Sequence, residues 1–155
     1  MKRDAWIFDV DGTLANVDSI LHHVKNINDD PEFKKDFDKF HEGSVHVPPH
    51  EEVVDMVWDA LDDNCDIIVV TARREEWRAH TSYWLRENNV PHHALFMRGN
   101  KDGRPDYEVK KDILEHIKLF WNPLWAVDDN PKIIKLWQEE DIPTTKIGNW
   151  DGESE

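Results

Sequence analysis

Two aspartates, Asp9 and Asp11, end an apolar run near the N-terminus in the stretch AWIFDVDGTLAN. A carboxylate at the end of a buried strand can act as a nucleophile, and a second one two residues later can protonate a leaving oxygen. Gly12 and Thr13 follow at once, which predicts a tight loop whose backbone N–H groups can hold phosphate oxygens. These residues therefore indicate phosphoryl transfer, with Asp9 as the nucleophile and Asp11 as the proton donor.

Three more apolar runs, DIIVVT, HALFMR and LWAVDD, end on the polar residues Thr71, Arg98 and the pair Asp128 and Asp129. Because ligands of an open α/β sheet bind beyond the carboxyl ends of its strands, these side chains should meet Asp9 at one edge. Bunched carboxylates repel one another, so we expect a cation between Asp9 and Asp128. Hard oxygen ligands favour Mg²⁺. Thr71 would offer its hydroxyl to the same phosphate oxygens.

A lysine is expected from the helix predicted over RPDYEVKKDIL. Asp106 and Lys110 are four residues apart and therefore share a helix face, so Asp106 can hold Lys110 extended toward the carboxylates. Lys111 lies on another side of this helix and is expected in solvent.

The elements that must position these residues alternate along the chain. The sequence predicts strands at 4–9, 66–71, 93–98, 124–129 and 143–148, and helices at 49–63, 74–88, 105–120 and 131–140. Such alternation predicts an α/β fold, a doubly wound parallel sheet of about five strands with helices on both faces. Within the single domain predicted for residues 1–155, residues 15–50 break the alternation. They predict a small helical cap-like insert, with Phe33, Phe37 and Phe40 on a stripe that either packs it onto the body or serves a mobile lid.

Composition narrows the function further. The chain has 155 residues and a formal net charge of −14, which argues against a broad surface that tracks the phosphates of long nucleic acids. Residues 73–111 nevertheless hold nine basic and six acidic residues, which suits local capture of an anionic substrate. A single cysteine, Cys65, and the lack of a signal-like or membrane-spanning apolar run predict a reducing cytoplasm and no membrane partner.

Other sites that use similar residues fail on spacing. A calcium-binding EF-hand loop that began at Asp9 would need an acidic residue where Ile20 stands. The glycines form no Walker-type phosphate loop, and neither H-E-x-x-H nor G-x-S-x-G occurs. The motifs FDVDGTL, VVTAR, a helix-borne lysine and AVDDN, in that order, are specific.

This order of motifs resembles the haloacid dehalogenase (HAD) superfamily over residues 8–130. The stretches LFMRGNKDGRPDYEVKKDIL and WAVDDNPKIIKLW also resemble the 3′-phosphatase domains of phage polynucleotide kinases and their stand-alone phage relatives. The resemblance implies an aspartyl-phosphate on Asp9, with Asp11 as general acid and then base. It also implies Mg²⁺ held by Asp9, the Asp11 backbone carbonyl and Asp128, with Asp129 assisting.

The resemblance assigns further roles around the transferring phosphoryl group. Thr71 and Lys110 would bind it, Arg73 would contact substrate or phosphate, and Asp106 would position the lysine. Arg98 and Arg104 lie in the matching loop and are expected to bind substrate.

Two departures from these relatives affect the substrate. The kinase half is not present in this sequence, so we expect no phosphorylation of 5′ ends. Relatives usually carry a basic residue eleven positions after the nucleophile, where this chain has Ile20; His22 and His23 either replace it or lie on a helix surface. Trp77 and Trp84 either belong to the core or form a base-stacking shelf near Arg73.

Three functions follow as hypotheses. The first is a Mg²⁺-dependent phosphomonoesterase that removes 3′-phosphates from nucleic acid ends, in the host cytoplasm if the chain is phage-encoded. The second is a phosphatase of the same mechanism for small substrates such as nucleoside monophosphates, which Ile20 and the negative charge favour. The third is a catalytically idle module whose insert contacts a partner. No obligate protein partner is evident.

Overall fold

Five parallel strands form one sheet in the computed structural model, which describes residues 1–152. They are β1 (Arg3–Phe8), β2 (Asp66–Arg74), β3 (Ala94–Arg98), β4 (Trp121–Asp128) and β5 (Thr144–Lys146). Their order across the sheet is β3-β2-β1-β4-β5, and every neighbouring pair is parallel. The first strand therefore lies at the centre, where the order reverses direction. Ligands of such sheets bind at this reversal.

Helices cover both faces of the sheet. They are α1 (Phe37–Gly43), α2 (Glu51–Asp62), α3 (Arg78–Glu87), α4 (Asp106–Phe120) and α5 (Pro131–Glu139). One core cluster joins α2 and α3 to the sheet, and the other joins α4 and α5 to its opposite face. The predicted α/β fold with a doubly wound parallel sheet is thus confirmed.

The sequence of β1 shows why two cores form. Ala5 and Ile7 belong to the cluster with α4 and α5, whereas Phe8 belongs to the cluster with α2 and α3. Successive side chains of a strand point to opposite faces, so a strand covered on both sides needs apolar residues at nearly every position. Asp9, the first residue after β1, is therefore placed at the carboxyl edge by the hydrophobic pattern itself.

The strand that carries Thr71 is longer than predicted. It continues to Arg74, and its pairing with β3 becomes irregular after Val70. The chain then forms a 3₁₀ turn at Glu75–Trp77 before α3 begins. As a result Thr71 and Arg73 lie inside β2 and not beyond it.

Residues 15–50, which we call the cap-like segment, differ most from prediction. They contain a 3₁₀ helix at Asp18–His23, the short helix α1 and a 3₁₀ turn at Ser44–His46. Asp36 caps α1, because its carboxylate accepts the Lys39 backbone N–H at 3.0 Å. The helix therefore begins after Phe33, and the predicted stripe of three phenylalanines is wrong: Phe40 is buried, whereas Phe37 is 55% exposed.

No helix within residues 1–152 is both long enough and apolar enough to cross a membrane.

Candidate active site

The carboxyl ends of β1 and β4 place Asp9 and Asp128 on either side of the Lys110 ammonium group. Lys110 Nζ lies 3.0 Å from Asp9 Oδ1 and 2.8 Å from Asp128 Oδ2, and all three side chains are buried. One oxygen from each of Asp9, Asp128 and Asp129 lies within 4.8 Å of the other two. We call Asp9, Asp128, Asp129 and Lys110 the carboxylate centre.

The charges of this centre do not cancel. Burial, together with the Asp128 charge, raises the pKa of Asp9 to about 7, although Lys110 opposes the shift. Burial and the charges of Asp9 and Asp128 raise the pKa of Asp129 to about 9. Burial alone would lower the pKa of Lys110, but the Asp128 and Asp9 carboxylates raise it, so the lysine stays protonated.

Three carboxylates and one ammonium group leave an excess of two negative charges when all four ionise. Oxygen ligands with that charge fit a divalent cation, and a bound cation would return Asp9 and Asp129 to their ionised forms. The residues of the centre can therefore hold a metal ion.

The loop after β1 is built around Gly12. Its φ of +80° suits glycine, and a Cβ atom there would overlap with Asp129 Oδ2. The Gly12 N–H donates to the Ala15 carbonyl and the Thr13 N–H to the Val10 carbonyl. Both N–H groups thus have backbone partners, and their binding of phosphate oxygens stays a prediction.

Thr13 contributes through its side chain. Its hydroxyl donates to Asp9 Oδ2 at 3.0 Å, on the carboxylate oxygen that Lys110 does not contact. Thr13 is fully buried, so it orients the Asp9 carboxylate and is not itself exposed to substrate.

Asp11 faces the opening of the site and pairs with Arg73. Arg73 Nε donates to Asp11 Oδ2 at 2.9 Å, and Nη2 donates to Oδ1. Arg73 Nη1 donates to the Thr81 hydroxyl at 3.0 Å, so three of the five N–H donors of the buried guanidinium bind protein groups. Burial would raise the pKa of Asp11, but the Arg73 charge and hydrogen bonds outweigh it and lower that pKa.

Thr71 is buried in β2, where its hydroxyl accepts the Arg73 backbone N–H at 3.2 Å. Its hydroxyl thereby stabilises the backbone of β2 at Arg73. Arg73 thus lies beside Asp11 and Thr71 lies two residues before it in β2, but both side chains already have partners.

The predicted pair of Asp106 and Lys110 is wrong. Asp106 Oδ1 instead accepts from Arg98 Nη2 at 2.6 Å, while Lys110 turns to Asp9 and Asp128. The remaining Arg98 donors bind the backbone carbonyls of Ala72, Asp102 and Arg104. Arg98 therefore fastens the loop before α4 onto β2, and Asp106 completes this fastening.

Arg104 is exposed and already paired. Its guanidinium donates to the carboxylates of Asp102 and Asp112, at 2.8 Å and 2.6 Å for its two Nη atoms. It lies at the rim of the site, where such pairs exchange readily with an anionic ligand.

A cleft with two lobes opens from Asp11, and both lobes are lined by Phe37 and Phe40 of the cap-like segment. The first, about 420 Å³, we call the arginine lobe after Arg73, Arg74, Arg98 and Arg104 in its lining. The second, about 570 Å³, we call the carboxylate lobe, because it reaches Gly12 and Asp129.

Sequence reasoning missed two residues of the arginine lobe. Arg74 lines it beside Arg73, and His41 lines it from α1. Burial lowers the pKa of His41 to about 4, so the imidazole is neutral at pH 7. Neither residue belongs to a motif; only its place next to Arg73 could have drawn attention to Arg74.

Two open alternatives are resolved by burial. Trp84 is a core residue whose Nε1 donates to the Val47 carbonyl, whereas Trp77 is half-buried and lines the arginine lobe. Ile20 is buried in the core cluster beneath Gly43. Neither His22 nor His23 lines the two lobes, so they do not replace a basic residue there.

Comparison with solved structures agrees with this fold. A chain in the structure of the Pnkp1/Rnl/Hen1 RNA repair complex is similar at a TM-score of 0.77 and 22% identity, over 97% of this chain and 44% of that one. A second structure of that complex is matched over 48% of its chain, so this chain spans less than half of both. The class C acid phosphatase from Bacillus anthracis with tungstate bound gives a TM-score of 0.71 at 12% identity, over 96% of this chain and 68% of that one.

Sequence comparison identifies the family. No curated protein matches the chain. The family model for the polynucleotide kinase PNKP phosphatase domain, however, matches residues 3–151, which is nearly the full length. The chain therefore belongs to the PNKP phosphatase domain family of the HAD superfamily.

Proposed function

We propose that this protein is a Mg²⁺-dependent phosphomonoesterase that forms an aspartyl-phosphate on Asp9 and removes 3′-phosphates from nucleic acid ends. The observation that carries the proposal is the environment of Asp9. One of its oxygens contacts Lys110, the other contacts Thr13, and Asp11 stands at the cleft two residues away. The family to which the chain belongs and the fold it shares with other phosphatases support the same reaction class.

The first step is attack by Asp9 on phosphorus, with loss of the 3′ oxygen. Lys110 and Thr13 fix the rotamer of Asp9, so the nucleophile is oriented before substrate arrives. A Mg²⁺ ion held by Asp9, Asp128 and the Asp11 carbonyl, with help from Asp129, would supply charge neutralisation for the phosphoryl oxygens.

Asp11 handles the proton in both halves of the reaction. It donates a proton to the leaving 3′ oxygen and then accepts one from the water that hydrolyses the aspartyl-phosphate. Arg73 holds Asp11 ionised in the free site, which is the form that the second half requires. A substrate phosphate that attracts Arg73 would release Asp11 to take up the proton needed for the first half.

The balance of charges at the cleft also supports a second candidate, a phosphatase for nucleoside monophosphates. Three of the four arginines in the arginine lobe are held by protein groups, so few cations are available to a long polyanion. A single phosphate and the terminus of a nucleic acid chain both need few cations, so either could bind here.

The test is phosphate release from a short 3′-phosphorylated oligonucleotide with Mg²⁺, compared with release from a 5′-mononucleotide. Asp9→Asn should lower kcat by at least about a thousandfold, because the amide removes the nucleophile while preserving its shape. Asp59→Asn, at an exposed position of α2, is the matched control and should retain full activity.

Each outcome assigns one function. Release from the oligonucleotide that Asp9→Asn abolishes supports the 3′-phosphatase. Release from the mononucleotide alone moves the function to small substrates and keeps the mechanism. No release from either substrate, with a tightly bound partner protein found by mass spectrometry, would support the idle module instead.

We further propose that residues 15–50 act as a cap on a single catalytic domain. The cap-like segment contributes Phe37, Phe40 and His41 to the cleft. A location in a reducing cytoplasm, that of the host if the chain is phage-encoded, stays a prediction from the single cysteine.

A further inference from the structure

The arginine lobe has an aromatic wall that the catalytic step does not use. Phe37 and His41 lie one turn apart on α1, with ring centroids separated by 6.4 Å. The His41 ring belongs to the cap-like segment and lies 5.0 Å from the ring of Trp77, which belongs to the 3₁₀ turn after β2. Phe37 is 55% exposed and Trp77 is half-buried, so both rings have surface left for a ligand.

Arg74 is the available cation of this lobe. Arg73, Arg98 and Arg104 are occupied by carboxylates, hydroxyls or carbonyls. Arg74 is exposed and, within residues 1–152, has no ion pair. A free guanidinium next to aromatic faces is the combination that binds single-stranded nucleic acid, because bases stack on the rings while the cation meets a phosphate.

The arginine lobe has four arginines against five acidic residues (Asp11, Asp38, Glu76, Asp102 and Asp106), and the carboxylate lobe is more acidic. Its charged lining contains five acidic residues against two lysines: Asp11, Asp18, Glu52, Asp106 and Asp129, with Lys25 and Lys35. A phosphodiester chain that left the catalytic centre on this side would meet the larger excess of negative charge. The arginine lobe is the electrostatically preferred exit for the nucleotide chain.

Hydrogen bonds fix the aromatic wall relative to the proton donor. The Thr81 hydroxyl donates to the Trp77 carbonyl at 2.9 Å and accepts from Arg73, which in turn holds Asp11. Two residues, Thr81 and Arg73, therefore connect Trp77 to Asp11 through hydrogen bonds. A base seated on Trp77 would set the position of its 3′ oxygen against Asp11.

We propose that the arginine lobe binds the last nucleotide of the substrate strand, its base stacked on Trp77 and its 5′-side phosphodiester on Arg74. This inference rests on the proposed function for the identity of the substrate. It makes the base and the second phosphate, and not the terminal phosphate alone, determinants of specificity.

The experiment measures binding without turnover, in the Asp9→Asn background. Two 5′-labelled oligonucleotides with a 3′-phosphate are compared by fluorescence anisotropy, one with a normal terminal nucleotide and one with a terminal abasic nucleotide. Stacking on one side chain predicts that the missing base weakens binding roughly 5- to 150-fold. Adding Trp77→Ala should bring the ratio of the two dissociation constants close to one.

Further variants separate stacking from folding. Trp77→Phe keeps an aromatic face and should restore most of the preference for the base. Trp58→Ala removes an exposed tryptophan on α2, outside the cleft, and should leave the ratio unchanged. Arg74→Gln should lower the slope of log affinity against log salt by about 0.7, the value for one phosphate of a single strand, whereas Arg86→Gln on α3 should not.

A preference for the base that survives Trp77→Ala, or an equal affinity for both oligonucleotides in the parent protein, would overturn the inference. The proposed function fails separately, when the protein with Asp9 intact releases no phosphate from the oligonucleotide. Base-dependent binding without such release would keep the nucleotide subsite and discard the 3′-phosphatase.

Discussion

The carboxylate centre and the cap-like segment face the same cleft but are held in different ways. Asp9, Asp128 and Lys110 are buried, come from three elements of the doubly wound body, and bind one another directly. The cap-like segment contacts the body through a few apolar anchors such as Ile20 and Phe40, while Phe37 stays exposed. The reactive groups are thus held in position by pairing of their charges. The groups that would select substrate are held in position by local packing.

This difference has an energetic consequence. Removing one charge from a buried network leaves its partners uncompensated, which is costly, whereas a change in an exposed wall affects mainly the ligand. Substitutions in the centre should therefore alter catalysis and protonation together. Substitutions in the segment should alter either stability or specificity.

Among substitutions that leave the nucleophile in place, the largest effect is expected at Lys110. Lys110→Met keeps the length of the side chain but removes the charge between Asp9 and Asp128, so the pKa of Asp9 should rise and less of the nucleophile be ionised. Loss of one preorganised charge at a reacting group typically lowers kcat about 10²–10³-fold. Steady-state phosphate release at pH 7 measures the loss.

Lys111→Met is the matched control for this prediction. Lys111 is the next residue of α4 and is exposed, so its substitution should leave kcat unchanged. Equal losses in the two variants would mean that Lys110 does not hold the nucleophile in the working enzyme.

The carboxylate centre could be predicted from sequence because topology alone brings it together. Apolar runs end at Asp9 and Asp128, and neighbouring parallel strands place their ends at one edge. The helix that carries Lys110 presents its buried face to the sheet. The meeting of these groups does not depend on the conformation of a long loop.

The partners of the arginines could not be predicted in the same way. A guanidinium can pair with any of several carboxylates at similar free energy, and the loop between β3 and α4 decides which one is near. Asp106 shares a helix face with Lys110, yet it binds Arg98. The stripe predicted for Phe33, Phe37 and Phe40 was wrong for a related reason: the spacing of these phenylalanines suits one helix, but the Asp36 cap starts α1 after Phe33.

A smaller effect is expected at Ile20, and it tests whether the cap-like segment is held by apolar anchors. Ile20→Arg places a charge in the core cluster, against the backbone at Gly43, where a Cβ atom would lie 2.9 Å from the Ile20 side chain. Burying this charge should lower the free energy of unfolding by about 2–4 kcal/mol. Urea denaturation measures the change, and no gain in phosphatase activity is expected.

Ile27→Arg is the control, because Ile27 is 60% exposed in the same segment and should change stability by less than about 0.5 kcal/mol. An Ile20→Arg protein of undiminished stability and increased activity would show that residue 20 can face the cleft. In that case the segment would rearrange, and it would not be held in place by its apolar anchors as inferred above.

The last prediction concerns the pH dependence of stability without metal. The pKa of Asp9 is raised to about 7 and that of Asp129 to about 9, above the ordinary value of 3.8 for an unfolded aspartate. Between pH 4 and these values the two folded carboxyls hold protons that the unfolded chain has lost. This outweighs the one proton that His41, with its pKa lowered to about 4, lacks below pH 6.5, so stability falls as pH rises. The metal-free melting temperature should therefore decrease from pH 5 to pH 8.

Mg²⁺ should reverse this trend, because a cation at the carboxylate centre competes with the protons and favours ionised Asp9 and Asp129. At a hundredfold excess over its dissociation constant it would add about 2.7 kcal/mol of stability, with a larger effect at pH 8 than at pH 5. Asp9→Asn, which lacks one titrating group and one ligand, should weaken both the pH slope and the response to Mg²⁺. Two results would contradict this prediction: a melting temperature that rises with pH in the metal-free protein, or a Mg²⁺ response that is equal at both pH values. Either would mean that the buried carboxylates stay ionised in the folded protein without a bound cation.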